Sequence, residues 1–263
     1  MKRGKTRVIL ALFIMIIPFV QSCLDVNENL DEAFAETPYD AALATVATPS
    51  ETAGEAIIES DTKGFAYVVN PEILTREKAN KAGQRIFYNY IGAESPVGKQ
   101  DSKGPYIQIT YVMAILTKPI DFLKEGEEDI YGDEGIYIMS YNLSKKYLTL
   151  QFQLLAYDSD IKHRISLVAK EGAVPDEKGF LPLELRHNAE GDRLESITQP
   201  GYVSFLLTDA PGYQEGTLKG FEITYETINY GETTLKLQFA NSKASTAFFP
   251  FPIEGSDYNT KIK

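Results

Sequence analysis

The chain has few residues that could do chemistry, and their spacing decides what kind. There are two histidines, His163 and His187, one cysteine, Cys23, and 37 acidic side chains. His187 stands in Leu185-Arg186-His187-Asn188, with Asp192 a short step downstream. An imidazole so placed could serve as a ligand or base. With Asn188 and Gly191 making a turn, the same ring at a strand end would satisfy turn carbonyls, and this is the preferred reading. The acidic, glycine-punctuated stretch Glu125–Glu134 offers hard oxygens for calcium, but it lacks the spaced aspartate register of a calcium loop and reads better as solvated linker. Gly92-Ala93-Glu94-Ser95-Pro96-Val97-Gly98-Lys99-Gln100 has the look of a phosphate loop. Its spacing is one residue too long, and Gln100 stands where a hydroxyl would hold Mg²⁺. No serine sits in a nucleophile elbow, and one cysteine makes neither a zinc ribbon nor a thiol pair. Carboxylate pairs suited to glycoside hydrolysis must arise by chance among so many acids. The expectation is a protein that is not an enzyme, with no cofactor and no metal site.

Cys23 is the exception, because its surroundings assign it a chemistry. Lys2, Arg3, Lys5 and Arg7 form a basic start, and Val8 to Val20 is an apolar run of 13 residues. That is too short to span a bilayer, which needs roughly 20 residues, and right for the core of a signal peptide. Val20-Gln21-Ser22-Cys23 then resembles the lipobox of bacterial lipoproteins, in which the small residue admits the peptidase and the thiol takes a diacylglyceryl group. Acyl chains contribute about 0.8 kcal/mol per buried CH₂, so two or three of them make a lasting anchor. The expected membrane partner is therefore reached through lipidated Cys23. Residues 23–39 are polar and acidic and read as a tether; acids just after the lipidated cysteine also resemble a surface-export signal.

Charge limits the other partners. The net charge is −11, and removal of the first 22 residues, which carry four basic side chains and no acid, leaves a body near −15. Such a body repels phosphate backbones, and no nucleic-acid partner is expected.

The elements that would position any site are strands. Period-2 alternation recurs from residue 40 to about 250, as in Ile107-Gln108-Ile109-Thr110-Tyr111, Leu148 to Leu154, Phe221 to Glu226 and Leu235 to Phe239. One face of each run is apolar and the other polar, the mark of a half-buried antiparallel strand. Asp61-Thr62-Lys63-Gly64 and Asn142-Leu143-Ser144-Lys145-Lys146 supply turns between runs. The one helical candidate after the leader is Glu72 to Lys81. These patterns predict an all-β chain: signal peptide 1–22, tether 23–39, a small barrel 40–120, an acidic linker 121–135, a β-sandwich 136–252 and a tail 253–263. Phe248-Phe249-Pro250-Phe251-Pro252 would cap the sandwich, seal the groove between the domains, or form a binding patch.

Several segments, in order, resemble the NigD-like lipoproteins: Ser22-Cys23-Leu24-Asp25, Gly83 to Tyr90, Tyr106 to Lys118, Ile136 to Phe152, and Leu181 to Asn188 with Gly191-Asp192. The resemblance runs from Ser22 to about Phe239. It implies an OB-like barrel followed by an antiparallel β-sandwich in a Bacteroidetes outer-membrane lipoprotein, surface exposure included as an option. The family name refers to a bacteriocin-associated locus. Residues 93–105 look like a local insertion. The expected function is that of a membrane-anchored, non-catalytic binding or interaction module of unknown ligand, holding a protein partner or a neighbouring envelope component. The alternatives are a glycan-binding accessory protein and an immunity protein. A glycan site should show a solvent-exposed row of at least two aromatic faces in a groove, and burial of every ring would count against it.

Overall fold

The computed structural model describes residues 40–49, 56–96, 104–198, 200–214, 216–239 and 262–263. The leader, Cys23, the tether, the last four residues of the phosphate-loop-like stretch and the Phe248–Pro252 run lie outside the described residues.

The alternating runs become strands because each can bury one face. The first five are β1 (Asp40–Thr48), β2 (Ala56–Ser60), β3 (Gly64–Val68), β4 (Arg85–Ala93) and β5 (Tyr106–Pro119). They pair in the order β3-β2-β1-β4-β5, and a parallel contact between β3 and β5, Tyr67 opposite Tyr106, closes the ring. A five-stranded ring with this order and closure is OB-like. Ala44, Val46, Ile58, Val68, Ile86, Ile107 and Ile109 fill it. Helix α1 (Glu72–Arg76) lies between β3 and β4 and pushes Ile73 and Leu74 into the same core. It is shorter than the stretch to Lys81 that the sequence suggests. Lys78 takes a positive φ of 54°, which ends the helix, and Ala79 turns back into the core with its N–H on Leu74.

The remaining strands form a sandwich. They are β6 (Asp121–Leu123), β7 (Ile136–Leu143), β8 (Tyr147–Ala156), β9 (Arg164–Lys170), β10 (Phe180–Asn188), β11 (Ser196–Ile197), β12 (Gly201–Leu206), β13 (Gly220–Thr227) and β14 (Gly231–Gln238). One layer is β12-β8-β7, and the other is β14-β13-β10-β9-β6. The layers meet at a corner where Thr227 pairs with Ile136. Leu148, Leu150, Phe152, Val203 and Phe205 of the first layer and Ile165, Leu167, Leu183, Phe221 and Ile223 of the second make one core. Each such side chain contributes about 1.5–3 kcal/mol through burial.

Two boundaries differ from the sequence reading. Strand β5 does not stop at the barrel: Leu116 to Pro119 pair in parallel with Val203 to Leu206 of β12, so one strand belongs to both bodies. The stretch expected as a linker, 121–135, is folded onto the sandwich. Its first residues are β6, paired with Val168 to Lys170 of β9, and helix α2 (Glu128–Tyr131) follows. Asn188 Nδ2 donates to the carbonyls of Asp129 and Ile130, and Glu134 N–H donates to His187 O. Gly132 has φ 65°, and a Cβ there would lie 2.5 Å from His187 O, so only glycine fits. Acidic composition marks the exposed face of this segment, while its backbone supplies the attachment. At the other end Ile262, placed by the sequence in a tail, is buried in the sandwich core beside His163.

Candidate functional site

Two buried charged clusters stand out, and only one opens to solvent. The first lies where the barrel wall meets the sandwich. Arg85 begins β4 on the outer face of the ring and is fully buried. Its Nη1 and Nη2 donate to Asp61 Oδ1 and Oδ2 at 2.7 and 2.6 Å, a bidentate fork. Nη1 also donates to Thr45 Oγ1 at 3.1 Å. The guanidinium lies 4.3 Å from the ring centre of Tyr147, a residue of the sandwich. Beyond it Thr149 and Ser204 share a 2.7 Å hydrogen bond on the outer sandwich face. Leu43, Phe87 and Ile115 of the ring pack with Tyr202 across the same seam.

Above the ion pair a groove of about 660 Å³ opens. The barrel contributes the Asp61–Gly64 turn and the end of β2; the sandwich contributes the Leu143–Tyr147 hairpin, Tyr213, Leu218 and Phe239. Both turns were legible as turns in the sequence, and the fold sets them face to face. Lys146 Nζ reaches Glu59 across the opening at 3.3 Å, between half-exposed side chains. Ser60, on the groove wall, is hydrogen-bonded to Tyr88, whose phenol is pushed up to about 12 by burial, with the Ser60 bond opposing the rise. A phenol that holds its proton so firmly is a poor base for a serine.

The second cluster is sealed inside the sandwich. His187 of β10 and His163, just before β9, face each other with Nδ1 of His163 2.8 Å from Nε2 of His187. Their rings are tilted by only 21° with centroids 5.0 Å apart, an edge-to-edge arrangement along the hydrogen bond. His163 Nε2 meets Asp192 Oδ2 at 3.1 Å, and His187 Nδ1 meets Gly135 O at 3.3 Å. Burial would raise the Asp192 carboxyl, but the N–H groups of Tyr157 and Asp158, then His163 and Arg193, hold it well below the usual carboxylate range. His187 is pushed down to about 4, first by burial and then by electrostatic interaction with the neighbouring His163 ring.

The preferred structural role of His187 is visible in its bond to Gly135 O and in the Asn188 side chain, which accepts Glu190 N–H at 2.7 Å. Sequence reasoning missed its pairing with His163, as it missed Arg85 and Asp61. The signal for the histidine pair was faint: two rings, both near acids, each beside an alternating run. Arg85 carried a clearer one, a charged residue at the head of the apolar run Ile86-Phe87-Tyr88. Among the described residues no group of three or more His, Cys, Asp or Glu side chains is arranged to hold a metal ion. The acids Glu125 to Glu134 sit along α2 and its flanks, and among the described residues no helix is long and apolar enough to cross a membrane.

Comparison with known proteins agrees with this architecture. A protein of unknown function from Bacteroides vulgatus is similar over 77% of this chain and 91% of its own, with 25% identity and a TM-score of 0.63. A protein of Parabacteroides distasonis described as toxin-related shares 24% identity over 76% and 93% of the two chains, with a TM-score of 0.58. One from Bacteroides fragilis described as a lipoprotein has the same fold at 12% identity, covering 78% and 100%, with a TM-score of 0.53. Among curated proteins nothing matches the chain. Residues 119–239 match the C-terminal β-sandwich domain of the NigD-like proteins. That span begins at the last residue of β5 and ends at Phe239 on the groove wall, so the chain carries a NigD-like C-terminal β-sandwich domain behind an OB-like ring.

Proposed function

We propose that this chain is an envelope lipoprotein, held at the outer membrane through Cys23, whose body is a non-catalytic binding module with its site in the groove between ring and sandwich. The observation that carries the reading is how the charged groups around the groove are used. Asp61 is consumed by Arg85 and Glu59 is paired with Lys146, so neither carboxylate is poised as an acid or base. The strand shared by ring and sandwich and the buried Arg85 fork fix both walls, and such a preformed cleft loses little freedom when it binds. The leader, Cys23 and the acidic tether in the sequence support the location.

The test is crosslinking in intact cells of the native organism with affinity-tagged full-length protein. Cys23→Ala, which frees the chain from the membrane, should abolish recovery of a recurrent envelope component. Recovery of the same component at undiminished yield by the Cys23→Ala form would overturn the anchored part of the reading. The hydrolase alternative would return only if changing Glu59 or Asp61 removed a measurable hydrolytic activity.

A further inference from the structure

The groove's chemistry points to one class of ligand, and the following rests on the binding reading above. Three aromatic side chains, Tyr147, Tyr213 and Phe239, line it, and all three are half-buried. Tyr213 is fixed by its hydroxyl, which donates to Lys145 O at 3.0 Å. Tyr147 is held by the Arg85 guanidinium at 4.3 Å, and Phe239 by an edge contact with Phe221 at 5.5 Å. Tyr147 gives one face to the guanidinium, and the three held rings supply fixed apolar surface to the groove wall, suited to the C–H face of a flat ligand.

The polar part of the lining is largely paired. Its acids, Glu59 and Asp61, are answered by Lys146 and by the buried Arg85 beneath the wall, and its remaining charged side chain is the exposed Lys145. Such a lining has no free carboxylate to hold a cation and a single exposed cation, screened by solvent, to hold an anion. A wholly apolar ligand would strip water from these groups and from the Ser60 and Thr62 hydroxyls without replacing its hydrogen bonds. A ligand that offers both apolar faces and many neutral hydroxyls meets every part of the wall. We infer that the groove binds a neutral oligosaccharide, of roughly two or three pyranose rings for a cleft of this size.

The experiment is calorimetric titration of the full-length protein, in detergent, with the neutral trisaccharides maltotriose, cellotriose, mannotriose and xylotriose, and with trigalacturonate as the acidic counterpart. At least one neutral trisaccharide should bind with a Kd below about 1 mM, and trigalacturonate at least about tenfold more weakly. Thr62→Arg, at an exposed turn residue that lines the groove, and Tyr213→Ala should each weaken binding about tenfold or more. Thr62→Arg touches no core contact, so it keeps the test decisive if Tyr213→Ala lowers the thermal transition. Three results overturn the inference: no heat from any neutral sugar up to about 10 mM, tighter binding of the acidic sugar, or binding unaffected by Thr62→Arg. If the sugars fail while a crosslinker at Thr62 still captures an envelope protein, the binding module stands and the sugar assignment falls. If both fail, the groove itself is not the site.

Discussion

Arg85–Asp61 and His163–His187–Asp192 are alike in composition and opposite in setting. Each puts a nitrogen-bearing side chain inside the fold in contact with a carboxylate. The arginine pair forms one floor of a groove, with Asp61 lining the opening. The histidine chain is closed on all sides: both rings are buried, and the cluster ends on a backbone carbonyl at one end and on backbone N–H donors at the other. A buried ion pair at a wall shapes a surface that ligands meet. A buried hydrogen-bonded chain in a core joins strands, here β9 and β10, to the segments around Gly135 and Asp192.

Breaking the two clusters should separate these roles. The largest effect is expected from Arg85→Met, which leaves Asp61 buried and unpaired at the seam. Urea denaturation should show a loss of roughly 3–5 kcal/mol, and Arg85→Met with Asp61→Leu together should recover most of it. Failure of the second change to compensate would show that the arginine acts through packing against Tyr147 and not through charge. Next comes His163→Phe, which removes two of the three links in the sealed chain and should cost about 2–3 kcal/mol, with groove binding unchanged once the protein is folded.

The pH dependence should follow the sealed cluster. The folded pKa of His187 lies near 4, below its ordinary 6.5, so the unfolded chain takes up that proton first as the pH falls. Its contribution is fully present above pH 6.5 and is lost on the way down to 4, at about 2 kcal/mol between pH 7 and pH 5. Asp192, also held down, adds its own loss only below the usual carboxylate range. Chemical denaturation as a function of pH checks this, and replacing His187 with Leu should flatten the slope between pH 7 and 5. The smallest effect belongs to Lys146→Ala, whose bond to Glu59 joins two half-exposed groups and should be worth no more than about 0.5 kcal/mol.

How much of this was legible follows from the range of the interactions. The strands could be read because alternation is local: Leu148, Leu150, Phe152 and Leu154 all face the core, as their spacing requires. The OB-like ring and the sandwich followed from strand number together with the resemblance. The ends of the bodies were less legible, because β5 keeps one pattern while changing partners from β4 to β12. The acids of 121–135 hid a strand and a helix whose attachments are made mainly by backbone. The candidate site was not legible, because it is made by distance in sequence. Asp61 and Arg85 are 24 residues apart, and Thr149, on the other body, is 64 from Arg85. No local period reports such meetings.

The most direct test of the central claim is a photo-crosslinking amino acid placed at Thr62, on the groove, compared with the same group at Leu194. That residue is exposed, near the Asp192 turn and the opposite end of β8 from Tyr147. In intact cells the account predicts adducts from Thr62 and none from Leu194, with the Thr62 adducts lost when Tyr213 is changed to Ala. Equal adducts from both positions, or adducts from Leu194 alone, would contradict it.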